Sequence, residues 1–235
     1  MFNAVFNAVI FNSTLFECRF NGIVIINLAL ISQPTAANAQ LAISKLLSIL
    51  KTTTPKIGYI ASAPDPQREY FRQTQQIYSA LNAEMDVYLE LESEFSQQAL
   101  DALLTCDLIH LSGGDTQRFL LAIKQRQLIA PLTKFAMNGG AIVGVSAGAM
   151  LLTPSIDSAV LCGDHITASP EALSALNLVP FQFVPHFETT QLSDDSFNQQ
   201  LNSLNQSVYL CGDNDALLLT GNKLTLYGSP QLVKK

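Results

Sequence analysis

The chain has 235 residues, 48% of them hydrophobic and only 14% charged, with a formal net charge of −6. That length and apolar content suffice for one large core, and the 13 Lys and Arg are scattered among 19 Asp and Glu, so no basic stripe is available for a phosphate backbone. Nucleic acid is therefore excluded as the expected partner.

The N-terminal stretch 1–32, MFNAVFNAVIFNSTLFECRFNGIVIINLALIS, is apolar but has no basic lead, and Asn, Ser, Glu and Arg interrupt it too often for a membrane span. Its β-branched and aromatic content predicts strands. The near-duplicate FNAVFNAVIFN is too short to announce a repeat architecture. From 22 to 32, GIVIINLALIS is a continuous apolar run of the kind a strand buried on both faces shows, and 38–51 then carries apolar residues at helical spacing. The next strand is KIGYIASA, 56–63, closed by the turn signal PDPQ, and the next helix is 68–83. MDVYLEL, 85–91, alternates as a strand does; 96–105 is helical; DLIHLS, 107–112, is a short strand running into GGDT. One or two helices fill 116–139 before the strand AIVGV, 141–145. This β-α rhythm predicts a mostly parallel sheet with helices on both faces, in which ligands sit beyond the carboxyl ends of the strands.

From about 157 the texture changes to short strands and loops: SAVLCG, FQFVPHF and 207–229, SVYLCGDNDALLLTGNKLTLYGS. The last reads as a hairpin turning at TGNK. No linker interrupts the chain, so a single α/β domain over 1–235 is expected. Cysteines 18, 106, 162 and 211 form no C-x-x-C pair, which reads as free thiols in a reducing compartment, the cytoplasm.

Chemistry gathers around AIVGVSAGAMLL, 141–152. Gly144-Val145-Ser146-Ala147-Gly148 fits G-x-S-x-G between an apolar strand and a helix-compatible segment, with small neighbours where a sharp turn crowds larger side chains. Such a turn lifts the Ser146 hydroxyl clear of the sheet; the plainer alternative is a tight turn in which Ser146 only caps the helix. A serine needs a base, and the chain has three histidines. His110 lies inside an apolar strand and reads as a hydrogen-bonded core residue, His165 as a loop residue, and His186, after a short strand and a stiffening proline, as the base. The imidazole needs an acceptor in turn, for which Asp213 is the first choice and Asp215 the second. Nucleophile, acid, histidine order would confine the acid to 147–185, to Asp157 or Asp164, so Ser, His, Asp is the simpler sequence of roles. Glycines in SGGDT, 112–116, let backbone N–H groups approach a substrate, and Gly114 with Ala147 would make an oxyanion pair, although the segment also suits a plain βα turn. Neither phosphate-loop pattern occurs, and no two histidines or cysteines have ligand-like spacing, so no metal is expected.

Taken in order, HLSGGDTQRFL, AIVGVSAGAMLL, VPHFETT and CGDNDALLL resemble the dipeptidase E (aspartyl dipeptidase) and cyanophycinase family of serine peptidases from about residue 23 to 230. The resemblance implies a three-layer αβα sandwich similar to class I glutamine amidotransferases (flavodoxin-like), closed by a C-terminal β-hairpin. It implies Ser146 as nucleophile, His186 as base and Asp213 as its partner, with Gly113, Gly114 and Ala147 at the oxyanion hole and Asp115 and Thr116 beside the substrate. It also implies hydrolysis of short peptides next to aspartyl residues without a cofactor, by a monomer or homodimer. Segment 1–22 has no counterpart in the family and would be an added hairpin or a lead. Asp115 is shared with the cyanophycinases, whereas VPHF is closer to dipeptidase E; a carboxylate-bearing substrate would call on Arg68, Arg72 or Arg118. An esterase or amidase of small acyl groups, and a non-catalytic relic of the fold, are the rival readings.

Overall fold

The computed structural model describes residues 8–10 and 25–235. Cys18 and, apart from 8–10, the expected added segment 1–22 lie outside the described residues. An eight-stranded sheet forms the middle layer. Five strands run parallel: β2 (Asn27–Ile31), β3 (Lys56–Ile60), β4 (Glu84–Leu89), β5 (Leu108–Leu111) and β6 (Ala141–Val145). Together with β1 (Ala8–Ile10), β9 (Ala216–Thr220) and β10 (Lys223–Tyr227), they stand in the order β1-β10-β9-β2-β6-β5-β3-β4.

The helices between and directly after the parallel strands are α1 (Ala37–Leu47), α2 (Glu69–Ala80), α3 (Gln97–Leu103), α4 (Thr116–Gln125), α5 (Ile129–Met137) and α6 (Ala147–Leu151). Successive strand residues point to opposite faces, and the two apolar cores follow that alternation. On β2, Ala29 and Ile31 join one core, with Ile43 and Leu46 of α1 and Phe71 and Tyr78 of α2. Leu28 and Leu30 join the other, with Leu103, Phe119, Leu132 and Met150 from the four remaining helices. The inner strand β6, covered on both faces, reads in sequence as an unbroken apolar run, whereas the edge strand β4 alternates, with Glu84 and Asp86 exposed.

The turn at TGNK is borne out: β9 and β10 pair antiparallel with Thr220 opposite Lys223, a two-residue hairpin loop. The hairpin adds to the central sheet, β9 lying antiparallel beside β2. A smaller sheet joins β7 (Gln182–Val184), β8 (Val208–Leu210) and β11 (Gln231–Val233), and α7 (Asp195–Ser203) packs beside it.

One expected strand is not a strand. SAVLCG falls in a 3-10 helix, Asp157–Cys162. Three residues per turn put Ser158 and Leu161 on one side, both buried, and the Ser158 hydroxyl donates to the Phe183 carbonyl at 3.0 Å. Gly163, with φ at 82°, ends the helix in a left-handed conformation.

His110 is the core residue that its position in an apolar strand suggests. It is 2% exposed, stacks on Tyr59 and accepts the Tyr78 hydroxyl proton at Nδ1 over 3.0 Å. Burial pushes its pKa down from 6.5 to about 3. Below pH 6.5 the unfolded chain therefore takes up a proton that the folded chain refuses. This contribution to stability is complete above that pH and drains as pH falls toward 3. Urea unfolding at pH 7 and pH 5 should show the wild type losing about 2 kcal/mol more than His110→Gln, whose amide oxygen still accepts from Tyr78.

Candidate active site

The register of the parallel strands lines up the residues that follow them. Leu111 pairs with Gly144 and Ile60 with Leu111, so two steps further on Ser62, Gly113 and Ser146 form a row beyond the carboxyl ends of β3, β5 and β6. A Cβ built at Gly113 would stand 3.5 Å from the Ser146 Cβ, so the two residues are in contact distance.

Ser146 has φ 50° and ψ −111°, a conformation that L residues avoid, and its N–H donates to the Ile31 carbonyl at 2.8 Å. The turn closes because its neighbours are small. A Cβ on Gly144 would come within 2.5 Å of the Gly148 carbonyl oxygen, and one on Gly148 within 2.3 Å of the Leu111 oxygen. Both obstacles are backbone atoms that cannot swing away. Gly148→Ala should cost about 3 kcal/mol, read as a lowered thermal midpoint in circular dichroism. The capping role for Ser146 is not what the structure shows: among the described residues its side chain makes no cap bond to α6.

The Ser146 hydroxyl instead meets His186, donating to Nε2 at 3.0 Å. On the other side of the ring, Nδ1–H donates to Asp213 Oδ1 at 2.5 Å, which fixes the tautomer that leaves Nε2 free to accept. The small sheet makes this meeting possible. Val184 of β7 pairs with Leu210 of β8, and the ladder continues through Cys211 N–H to the Val184 carbonyl at 2.9 Å and Phe187 N–H to the Cys211 carbonyl at 3.0 Å. His186 and Asp213 leave the ends of these two parallel strands together. His186 turns outward with φ 56°, a second strained residue at the same place.

Asp215 has a different task. Its Oδ2 accepts the Gly212 N–H at 2.8 Å and its Oδ1 the Ser229 N–H at 2.7 Å, which folds the loop that carries Asp213. Asn38, in the first turn of α1, grips the same loop through Asn214. Asp157 is occupied by the Ser155 hydroxyl at 2.6 Å, and neither it nor Asp164 bonds to His186 among the described residues. His165 is exposed in a loop.

Of the residues expected near a substrate, Gly113 is half-buried and Gly114 exposed. The N–H groups of Gly114 and Ala147 have no hydrogen-bond partner among the described residues. Asp115 is exposed, but its carboxylate caps α4 by accepting the Arg118 N–H at 2.7 Å. Thr116 is 2% exposed with its hydroxyl turned on Met150. Among the arginines, Arg118 is held by both oxygens of Glu92 at 2.7 Å, Arg68 lies over the Tyr88 ring at 4.4 Å, and Arg72 is exposed on α2.

The three cysteines among the described residues are free, and burial raises the thiol pKa of Cys106 to about 11 and holds that of Cys211 well above its ordinary value. Ser62 and Ser112, which hold the glycine loop, went unnoticed in the sequence, because a serine at a strand end carries no signal of what it will face.

Residues 28–227 match the model of peptidase family S51. Peptidase E of Escherichia coli (strain K12 / DH10B) and that of Shigella boydii serotype 18 are each 35% identical over 86 residues, 37% of this chain and 36% of the relative. The chain thus matches about a third of the length of these curated relatives. A protein of Listeria monocytogenes EGD-e assigned to peptidase E has a similar fold, with TM-score 0.65, 18% identity and coverage of 90% of this chain and 99% of its own. A peptidase from an acI-B1 actinobacterium aligns with TM-score 0.63 and 19% identity, over 92% of this chain and 90% of its own. At such identities these two likenesses concern the fold alone.

Proposed function

We propose, from the premise that the chain belongs to peptidase family S51, that it is a serine peptidase that hydrolyses short peptides next to aspartyl residues. The observation that carries the reading is the unbroken hydrogen-bond chain from the Ser146 hydroxyl through His186 to Asp213. In this mechanism Nε2 of His186 takes the Ser146 proton as the oxygen attacks the scissile carbonyl, and the Asp213 carboxylate stabilises the imidazolium that forms. The oxyanion is received by the unpartnered N–H groups of Gly114 and Ala147. His186 then gives its proton to the leaving amine, and water, deprotonated by the same ring, releases the acyl group from Ser146. None of these steps draws on a metal or an organic cofactor.

The aspartyl preference rests on the resemblance drawn from the motifs and on the peptidase E relatives. With Arg118 engaged by Glu92 and Arg68 stacked on Tyr88, Arg72 is the arginine that no bond restrains among the described residues. The same reading has one domain working in the cytoplasm as a monomer or homodimer, in keeping with three unpaired thiols. No helix among the described residues is long and apolar enough to cross a membrane.

The test is a library of Asp-X and X-Asp dipeptides assayed beside simple p-nitrophenyl esters, with Ser146→Ala as control. Serine-dependent cleavage confined to the aspartyl dipeptides is the expected result. Ester turnover far exceeding that on every dipeptide would replace the peptidase reading with an esterase, and absence of any Ser146-dependent turnover would leave a non-catalytic fold.

A further inference from the structure

We infer that Ser62, at the end of β3, is a positioning residue for the oxyanion hole: by holding the Gly113 carbonyl it aims the Gly114 N–H at the site of reaction. The inference rests on the serine-peptidase reading above. Its geometry starts with one hydrogen bond, in which the Ser62 hydroxyl donates to the Gly113 carbonyl oxygen at 2.5 Å. That carbonyl and the Gly114 N–H belong to the same peptide unit, and none of the described peptide bonds is cis. In a trans peptide the C=O and N–H point in opposite directions. The strand order then decides where the N–H goes. β5 lies between β3 and β6, so a carbonyl pinned toward Ser62 on the β3 side turns the N–H toward the β6 side, where Ser146 stands.

Three further observations tie Ser62 and the glycine loop together. Its own N–H donates to the Ser112 hydroxyl oxygen at 2.8 Å, so its backbone is fixed to the residue that begins the glycine loop. The Ser112 carbonyl accepts the Gly148 N–H at 3.1 Å, tying that loop to the helix behind Ser146. Gly114 has φ 144°, and a Cβ there would fall 2.3 Å from the Ser62 oxygen, so the glycine leaves the space that the hydroxyl fills. Ser62 is only 9% exposed, too covered to touch a substrate itself, which separates this role from binding. A hydroxyl bonded to a carbonyl also polarises the peptide and makes its N–H a better donor.

An oxyanion donor acts on the transition state more than on the bound substrate. Ser62→Ala should therefore lower kcat about 10- to 100-fold on whichever dipeptide the wild type cleaves, with KM little changed. Affinity for a peptide aldehyde, which forms an oxyanion on Ser146, should fall by the same factor, while affinity for the product should hold. Ser62→Thr, which keeps the hydroxyl, should restore most of the loss. If the alanine variant folds poorly by circular dichroism, Ser62→Cys keeps the space filled with a weak donor and should give the same pattern. A folded variant without the hydroxyl whose kcat stays at the wild-type level, or whose loss falls on KM and product affinity equally, overturns the inference while leaving the peptidase standing. A wild type with no Ser146-dependent turnover and no labelling of Ser146 by a phosphonate overturns both.

Discussion

Ser146→Ala should abolish turnover, with kcat falling about 10⁶-fold, while the protein folds as before. The size follows from what is lost. Without the Oγ there is no acyl-enzyme, and His186 and Asp213 then have no proton to move, so removing the serine removes the work of the whole hydrogen-bonded chain. What survives is the positioning of substrate and the N–H groups beyond β5 and β6, which act on an attacking water far less well. Stability should hardly change, because alanine carries the same Cβ into the same positive φ and the lost hydrogen bond lies at the surface. The two expectations are checked together by steady-state kinetics and thermal unfolding, with a fluorophosphonate probe as a third measure: it should label the wild type at Ser146 and leave the variant unlabelled. Turnover above a thousandth of the wild-type rate in a folded Ser146→Ala protein would mean that another group is the nucleophile.

How far such residues could be read from the sequence depended on whether the controlling interaction was local. AIVGV and the glycine after it were legible because the sharp turn after β6 punishes any Cβ at 144 or 148, a constraint written into a few neighbouring positions. The β-α rhythm was legible for the same reason: strands covered on both faces, such as β6, must be apolar at every step. The pairing of β9 with β2 was not, because it joins residues almost 190 positions apart and nothing in ALLLT specifies its neighbour. SAVLCG misled because a short apolar run fits a strand or a 3-10 turn equally, and burial of Ser158 and Leu161 against the small sheet decided the matter. Asp115 and Thr116 also carry structural tasks that their motif does not announce, since one caps a helix and the other faces Met150. The choice between Asp213 and Asp215 was open for a geometric reason: two residues apart in a loop, they differ only in which way the loop is folded.

That choice yields the second large effect. Asp213→Asn should reduce kcat on the order of 10³-fold, somewhat less than the roughly 10⁴-fold seen when a buried triad carboxylate is neutralised. The amide can present N–H where the carboxylate presented a lone pair, which drives the His186 proton from Nδ1 to Nε2 and removes the acceptor that Ser146 needs. The discount comes from solvent: the Asp213 side chain is 66% exposed and that of His186 46%, so water can partly replace the carboxylate beside the charged ring. KM should move little, since the carboxylate acts on the ring and not on the substrate. Asp215→Asn should behave in the opposite way. It keeps one carbonyl oxygen for the Gly212 or Ser229 N–H and leaves the other unpaired, costing about 1–2 kcal/mol of stability, with kcat within about threefold of wild type so long as the loop stays folded. Parallel kinetics and urea unfolding on the two variants separate the roles. A collapse of kcat in Asp215→Asn with Asp213→Asn near wild type would show that the loop refolds when substrate binds and exchanges its two carboxylates, because nothing else in this arrangement brings Asp215 to the imidazole.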